Sequence, residues 1–161
     1  MPIPLSVESI WSDYSRSVGG VDEERFYEAF HFGDTETMAN ELGQLVLTGR
    51  KQATAGSVSS VEAAGKRIPQ AGDLSVVTDW SGKPLCIIET GRVDVMPFDQ
   101  VSAEFAAVEG EGDGSLEYWR RGHTKYFTRE CQRTGNTFSG RMLVSCERFQ
   151  VVYRTPAPSA A

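Results

Sequence analysis

Two runs rich in β-branched residues, LSVVTDW at 74–80 and PLCIIETGRVDV at 84–95, are separated by Ser81 and Gly82. That spacing predicts a β-hairpin, because branched side chains suit a pleated surface and a Ser-Gly pair supplies the turn. Gly72 and Asp73 form a turn into the first strand. Met96-Pro97-Phe98 ends the pairing, since proline lacks the ladder donor and restricts the residue before it. A third run, RMLVSCERFQVVYR at 141–154, returns to strand composition. Helical spacing surrounds these runs. Val7, Ile10, Trp11 and Tyr14 fall at i, i+3, i+4 and i+7 behind a Ser6 cap, and Gly19-Gly20 stops that helix. A second helical piece is expected from about Asp22 to Ala29. A third, capped by Asp34 or Thr35, carries Met38, Leu42, Leu45 and Val46 on one face and ends at Gly49. Val58 to Gly65 reads as a short helix or an ordered loop. The longest helix is expected from Ser115 to about Arg133, opened by Asp113 or Ser115 and closed near Gly135, with Trp119, His123, Tyr126 and Phe127 on its inner side. Strands flanked by helices without βαβ alternation give an α+β fold class.

The 161 residues, 40% of them hydrophobic, suffice for one domain with one substantial core. The expected division is a helical extension over 1–30, the domain over 31–153 and a mobile tail over 154–161, where TPAPSAA is small and proline-containing. No run approaches the roughly 18 apolar residues of a membrane span. The start lacks both a basic n-region and an apolar h-region, so a cytoplasmic, unexported protein is expected. Cys86, Cys131 and Cys146 are odd in number, far apart and without a CxxC pair, which fits buried thiols in a reduced compartment. The net charge of −6 matters more, because nonspecific binding to a phosphate backbone draws on Lys and Arg displacing counterions. Any nucleic-acid role therefore needs a local basic cleft on a negative body, which favours a short single strand or a nucleoside over long duplex. Nothing in the sequence calls for an obligate protein partner.

Three constellations could carry chemistry. Arg50, Lys51 and Thr54 lie where a helix is expected to give way to an irregular segment. There a lysine can bind phosphate or, if desolvated, act as a base for Thr54 or for a substrate hydroxyl. The plain alternative is a solvated loop lysine beside a turn threonine. Second, Glu109, Glu111 and Asp113 alternate with glycines just before the long helix. They could shuttle protons, accept from a ribose or base, hold Mg²⁺, or merely complement the helix dipole. Third, Arg121, Lys125, Arg129 and Arg133 recur every four residues along that helix, with Arg120 beside them. This stripe would hold phosphates, or simply be an exposed face paired with Glu117 and Glu130. His123 reads as a partly buried, hydrogen-bonded histidine rather than a base.

Gly49, Lys51 and Thr54, together with FHFGDT at 30–35, GDLSVV at 72–77 and EFAAVEGEGDGSLEYWRRGH at 104–123, resemble the ASCH domain family over about residues 30–153. The resemblance implies a PUA-like fold, a small curved β-barrel flanked by helices with a cleft beside it, and an association with RNA. Some family members are ribonucleases on single-stranded RNA, and others are acetylcytidine amidohydrolases that use a lysine, a threonine and a glutamate. Lys51 and Thr54 match the first two by spacing, and Glu109 or Glu111 would supply the third. Where the family pattern usually has a basic residue shortly after the threonine, this chain has Ala55, Gly56 and Ser57, so that contact would come from Arg92, Arg121 or Lys125. The first expectation is a metal-independent hydrolase cleaving single-stranded RNA, with Lys51, Thr54, Glu109 and Glu111 catalytic and Arg50, Arg121, Lys125 and Arg129 binding substrate. The alternatives are an amidohydrolase on acylated cytidine and a noncatalytic RNA-binding module. No cofactor is expected.

Overall fold

The computed structural model describes residues 2–156. Of the expected mobile tail, residues 157–161 lie outside the described residues. Five strands, β1 (Phe26–Phe30), β2 (Ala53–Ser57), β3 (Leu74–Thr78), β4 (Pro84–Pro97) and β5 (Leu143–Arg154), form one sheet in the order β1-β3-β4-β5-β2. β1 runs parallel to β3, and the other pairs are antiparallel. Register shifts between Ile87 and Ile88 and between Thr90 and Val93 bend the two longest strands, so the sheet curves. The curve does not close, because the edge strands β1 and β2 are not bonded to each other. Helices flank this open barrel: α1 (Glu8–Ser17), α2 (Glu36–Leu47), α3 (Val58–Ala63), α4 (Ala103–Glu109) and α5 (Leu116–Arg133).

The packing explains why the hairpin was the strongest signal. Leu74 and Val76 of β3 pack with Ile10, Trp11 and Tyr14 of α1, whereas Val77 joins Val46 of α2 and Phe32. β3 is thus covered on both faces, which is why its sequence is apolar without alternation. A third cluster sets Phe105 of α4 and Trp119 and Phe127 of α5 against Ala53, Val144 and Cys146 of β2 and β5. The α1 stripe is buried as its spacing predicts, although Ser6 lies within a 3-10 turn and caps nothing. Thr35 caps α2 by accepting from Met38 N, and Ser115 caps α5 by accepting from Tyr118 N.

Two expectations need correction. The helix expected over 22–29 is a 3-10 turn, Glu23–Arg25, followed by strand β1. Three aromatics in five residues favour a strand, and parallel pairing with β3 decides the matter. The irregular segment expected around Thr54 is strand β2. Its small residues have little β preference of their own and are held by pairing with β5, Thr54 opposite Glu147. Helix α4 had no counterpart in the sequence reading. The three cysteines are free and buried, and burial pushes the Cys86 and Cys146 thiols up to about 12. No described helix is long and apolar enough to cross a membrane.

Candidate active site

The site forms where the C-terminal ends of α2 and α4 meet. After α2 the chain reverses at Gly49, at a φ of 82°. Lys51 N then donates to Leu45 O, and Gln52 N to Val108 O, each at 3.0 Å. This turn buries Lys51 to 1% exposure. α4 ends at Gly110 in the left-handed region, which leaves its last residue, Glu109, fully buried against Lys51. A Cβ on Gly110 would stand 2.2 Å from the Arg50 carbonyl oxygen, and one on Gly112 would stand 2.4 Å from the Tyr118 ring. Both glycines of the EGEGD segment are therefore required by close approach. The Arg50 guanidinium donates to Gly110 O at 3.1 Å and also to Gly112 O. Arg50 thus clamps the acidic loop.

Four titratable side chains meet in this corner. Lys51 Nζ donates to Glu109 Oε2 at 3.1 Å and to Glu111 Oε2 at 2.9 Å. His123 Nε2 lies 3.3 Å from Glu109 Oε2, and its Nδ1 sits 2.9 Å from the Trp119 carbonyl. That carbonyl can only accept, so Nδ1 carries a proton and Nε2 faces the acids. The imidazole stacks on Trp119 at 4.1 Å, and the Phe32 ring lies 5.2 Å from Lys51 Nζ.

Burial alone would discharge all four groups, but their mutual attraction opposes it. For Lys51, burial pulls the pKa down, and the two carboxylates outweigh it and hold the lysine as a cation. For Glu109, burial is overcome by Lys51 and His123, which hold its carboxyl well below the usual range. Glu111 differs: burial and the neighbouring Glu109 carboxylate, set against Lys51, push it up to about 7. His123 is raised, since Glu109 and Glu111 more than offset its burial. The cluster therefore holds a fixed cation, a fixed anion and an exchangeable proton.

Glu109, Glu111 and His123 bring one donor atom each within 4.8 Å of one another, a spacing that could suit a divalent ion. The donor set nevertheless fits one poorly, because Lys51 Nζ already bonds both carboxylates and would repel a second cation.

This corner opens into a cleft of about 340 Å³ in the gap between β1 and β2. Thr54 lines it from β2, and its hydroxyl has no hydrogen-bond partner among the described residues. Aromatic groups stand at its rim: Tyr118, and His31 packed on Trp80 at 4.8 Å, with Trp80 42% exposed. The basic stripe divides. Arg120, Arg121 and Lys125 line a separate open groove of about 590 Å³ on the outer face of α5. Arg129 donates to both oxygens of Asp34 at 2.8 and 2.9 Å, and Arg133 to one of them at 3.2 Å. Asp113 Oδ1 accepts from Ser115 N at the start of α5, clear of the cluster.

The geometry thus brings Lys51, Thr54 and Glu111 to one cavity, with Glu109 sealed behind Lys51, and it leaves Arg50, Arg121, Lys125 and Arg129 outside the lining of that cavity. It adds His123, His31 and Tyr118. The position of His123 one turn beyond Trp119 was visible in the sequence, but its partner Glu109 comes from another helix.

An ASCH domain family model matches residues 28–153. Among solved structures, an ASCH domain from Lactobacillus crispatus JV V101 is 37% identical with a TM-score of 0.85, covering 96% of this chain and 98% of that one. A protein from Enterococcus faecalis V583 is 33% identical with a TM-score of 0.84, covering 92% and 89%. A third, a hypothetical protein 15% identical with a TM-score of 0.51 over 79% of this chain and 99% of that one, shares the fold. No curated protein matches the chain significantly. The family match over most of the chain and the two close structures agree with the fold described above: the chain belongs to the ASCH domain family, whose fold is PUA-like and which is associated with RNA binding.

Proposed function

We propose that this protein is a metal-independent amidohydrolase acting on an acylated base of a nucleoside, in a reducing cytoplasm where its buried thiols stay free. The observation that carries this is the charge of the cleft. Lys51 is already neutralised by two carboxylates, and Glu28 adds a further acid to the lining. A phosphodiester carries a full negative charge before any reaction and is repelled there on entry, whereas an amide enters neutral. Size agrees, since about 340 Å³ lies in the range of small-molecule pockets, and the rim aromatics offer a face on which a base can stack.

In this mechanism Thr54 Oγ attacks the acyl carbon while its proton passes to Glu111. The Lys51 ammonium stabilises the oxyanion, and Glu109 and His123 hold Lys51 and Glu111 in place. The carbon–nitrogen bond then breaks, and Glu111 returns the proton to the leaving nitrogen, freeing the amine. A water that gives its proton to Glu111 then attacks the Thr54 ester, and Glu111 passes that proton to Thr54 Oγ as the ester bond breaks, releasing the carboxylic acid and restoring the hydroxyl.

A second function, cleavage or binding of single-stranded RNA, is favoured by the open groove beside Arg120, Arg121 and Lys125, which could carry a backbone past the cleft mouth. Incubation of wild type and Thr54→Ala with acetylcytidine and, separately, with short single-stranded RNA, both in EDTA, distinguishes the two. Deacylation lost in the variant, with intact RNA, is the expected result. Strand cleavage without deacylation would overturn the proposal.

A further inference from the structure

Behind the cleft lies a second chamber of about 130 Å³, which shares Glu28, Phe30, Thr54, Ala55 and Gly56 with it. Thr54 therefore lines both spaces, and a group bonded to a carbonyl carbon at Thr54 would lie beside the inner chamber. The inner chamber is larger than an acetyl group needs, since a cavity of about 150 Å³ can hold benzene.

Its walls are mostly apolar, with a few polar groups set among them. Glu147, 9% exposed, lies opposite Thr54 across the β2–β5 ladder. One of its oxygens accepts from Thr90 Oγ1 at 2.5 Å, and the other has no partner among the described residues. Ser75, 3% exposed, also lines the chamber with a hydroxyl that bonds nothing among the described residues. Neither atom is sealed off, so both face the chamber and are open to a hydrogen-bond donor brought into it. Glu28, on the facing strand, adds a second acid, whose neighbour Lys66 stands 3.6 Å away. The chamber thus accepts hydrogen bonds and favours positive charge.

Resting on the amidohydrolase function, we infer that the inner chamber is an acyl-group subsite selecting acyl chains that end in a hydrogen-bond donor such as an ammonium group, with Glu147 and Ser75 as specificity-determining residues. Plain acetyl would be a minimal substrate that leaves the chamber's polar groups unpaired.

The test compares N4-acetyl-, N4-propionyl- and N4-glycylcytidine. Propionyl and glycyl have the same heavy-atom count and differ at the distal methyl or ammonium. The expected result is a kcat/KM for glycyl about tenfold or more above propionyl in the wild type, because a buried site built for a donor rejects the isostere lacking it. In Glu147→Gln and in Ser75→Ala that ratio should fall, most in the former, and because it is a ratio it does not depend on the amount of folded protein. Equal turnover of propionyl and glycyl in the wild type would overturn the acyl subsite alone. No turnover of any of the three would overturn the amidohydrolase function on which the subsite rests.

Discussion

Glu109 and Glu147 are both buried acids close to the cleft, one behind Lys51 and one on the wall of the inner chamber, yet they are in opposite states. Glu109 is fully buried between Lys51 and His123 and stays ionised. For Glu147, burial pushes the carboxyl up to about 7, with Glu28 and Asp73 adding to the rise and only the Thr90 hydroxyl and the more distant Lys51 opposing it. A buried carboxylate keeps its charge only if a cation is supplied with it. The outer corner is supplied with one and forms a rigid charged framework. The inner chamber is not, and its acid is left able to change state or to pair with something brought in. That contrast separates a region built to stabilise charge from a region built to recognise a group.

The sharpest way to break the contrast is to remove the cation. Among the described residues, Lys51→Met leaves His123 as the one group positioned to offset the buried Glu109 and Glu111, and breaking such a buried ion pair costs about 3–5 kcal/mol. Denaturant unfolding should show that loss, with deacylation abolished. Adding Glu109→Gln should recover part of the stability and none of the activity.

The inner acid predicts the opposite pH behaviour. The folded-state pKa of Glu147 lies above its unfolded value, so its contribution to stability is complete below the unfolded pKa and is lost as pH rises through about 7. The loss is at most about 3 kcal/mol. Glu147→Gln should therefore flatten the fall in Tm between about pH 5 and about pH 8, and should exceed wild type in Tm at the upper end. Glu111 shifts in the same direction, so some slope remains. A deacylation rate that rises with pH through about 7, and loses that limb in Glu111→Gln, would place the exchangeable proton on Glu111.

Smaller effects separate the framework from the surface. Asp34→Ala removes the partner of Arg129 and Arg133, at positions half open to solvent, and should cost about 1 kcal/mol or less with little change in kcat. Arg121→Ala should leave stability and deacylation within error. If α5 carries RNA, it should reduce the salt dependence of RNA binding by about one charge.

Much of the scaffold was legible because its signals are local. The hairpin of β3 and β4, the capped helices α2 and α5, and the stripe on α1 each follow from spacing within about a dozen residues. β2 was hidden because Ala53–Ser57 becomes a strand only through pairing with β5, nearly a hundred positions away. β1 was hidden because its aromatics become a strand through parallel pairing with β3, nearly fifty positions away, which the local pattern over 22–29 does not show. For the cleft, Lys51 and the EGEGD segment could be named from the sequence. That Glu109 and Glu111 both bond Lys51, rather than one serving and the other idling, required α4, an element the sequence reading did not contain. Arg50 and Arg129 looked like phosphate ligands because charge is visible in a sequence and its partner is not. Each is engaged inside the protein, Arg50 by the glycine carbonyls and Arg129 by Asp34. Glu147 carried the one overlooked clue, an acid inside a strand between two buried residues, Cys146 and Phe149.

The central claim, acyl transfer to Thr54 beside a neutralised Lys51, is tested most directly by acid-quenching the protein with acetylcytidine early in turnover and reading intact and peptide masses. The account predicts a mass gain of one acetyl group mapped to Thr54 and absent from Thr54→Ala. Full turnover by Thr54→Ala, with no acylated peptide in the wild type, would contradict it.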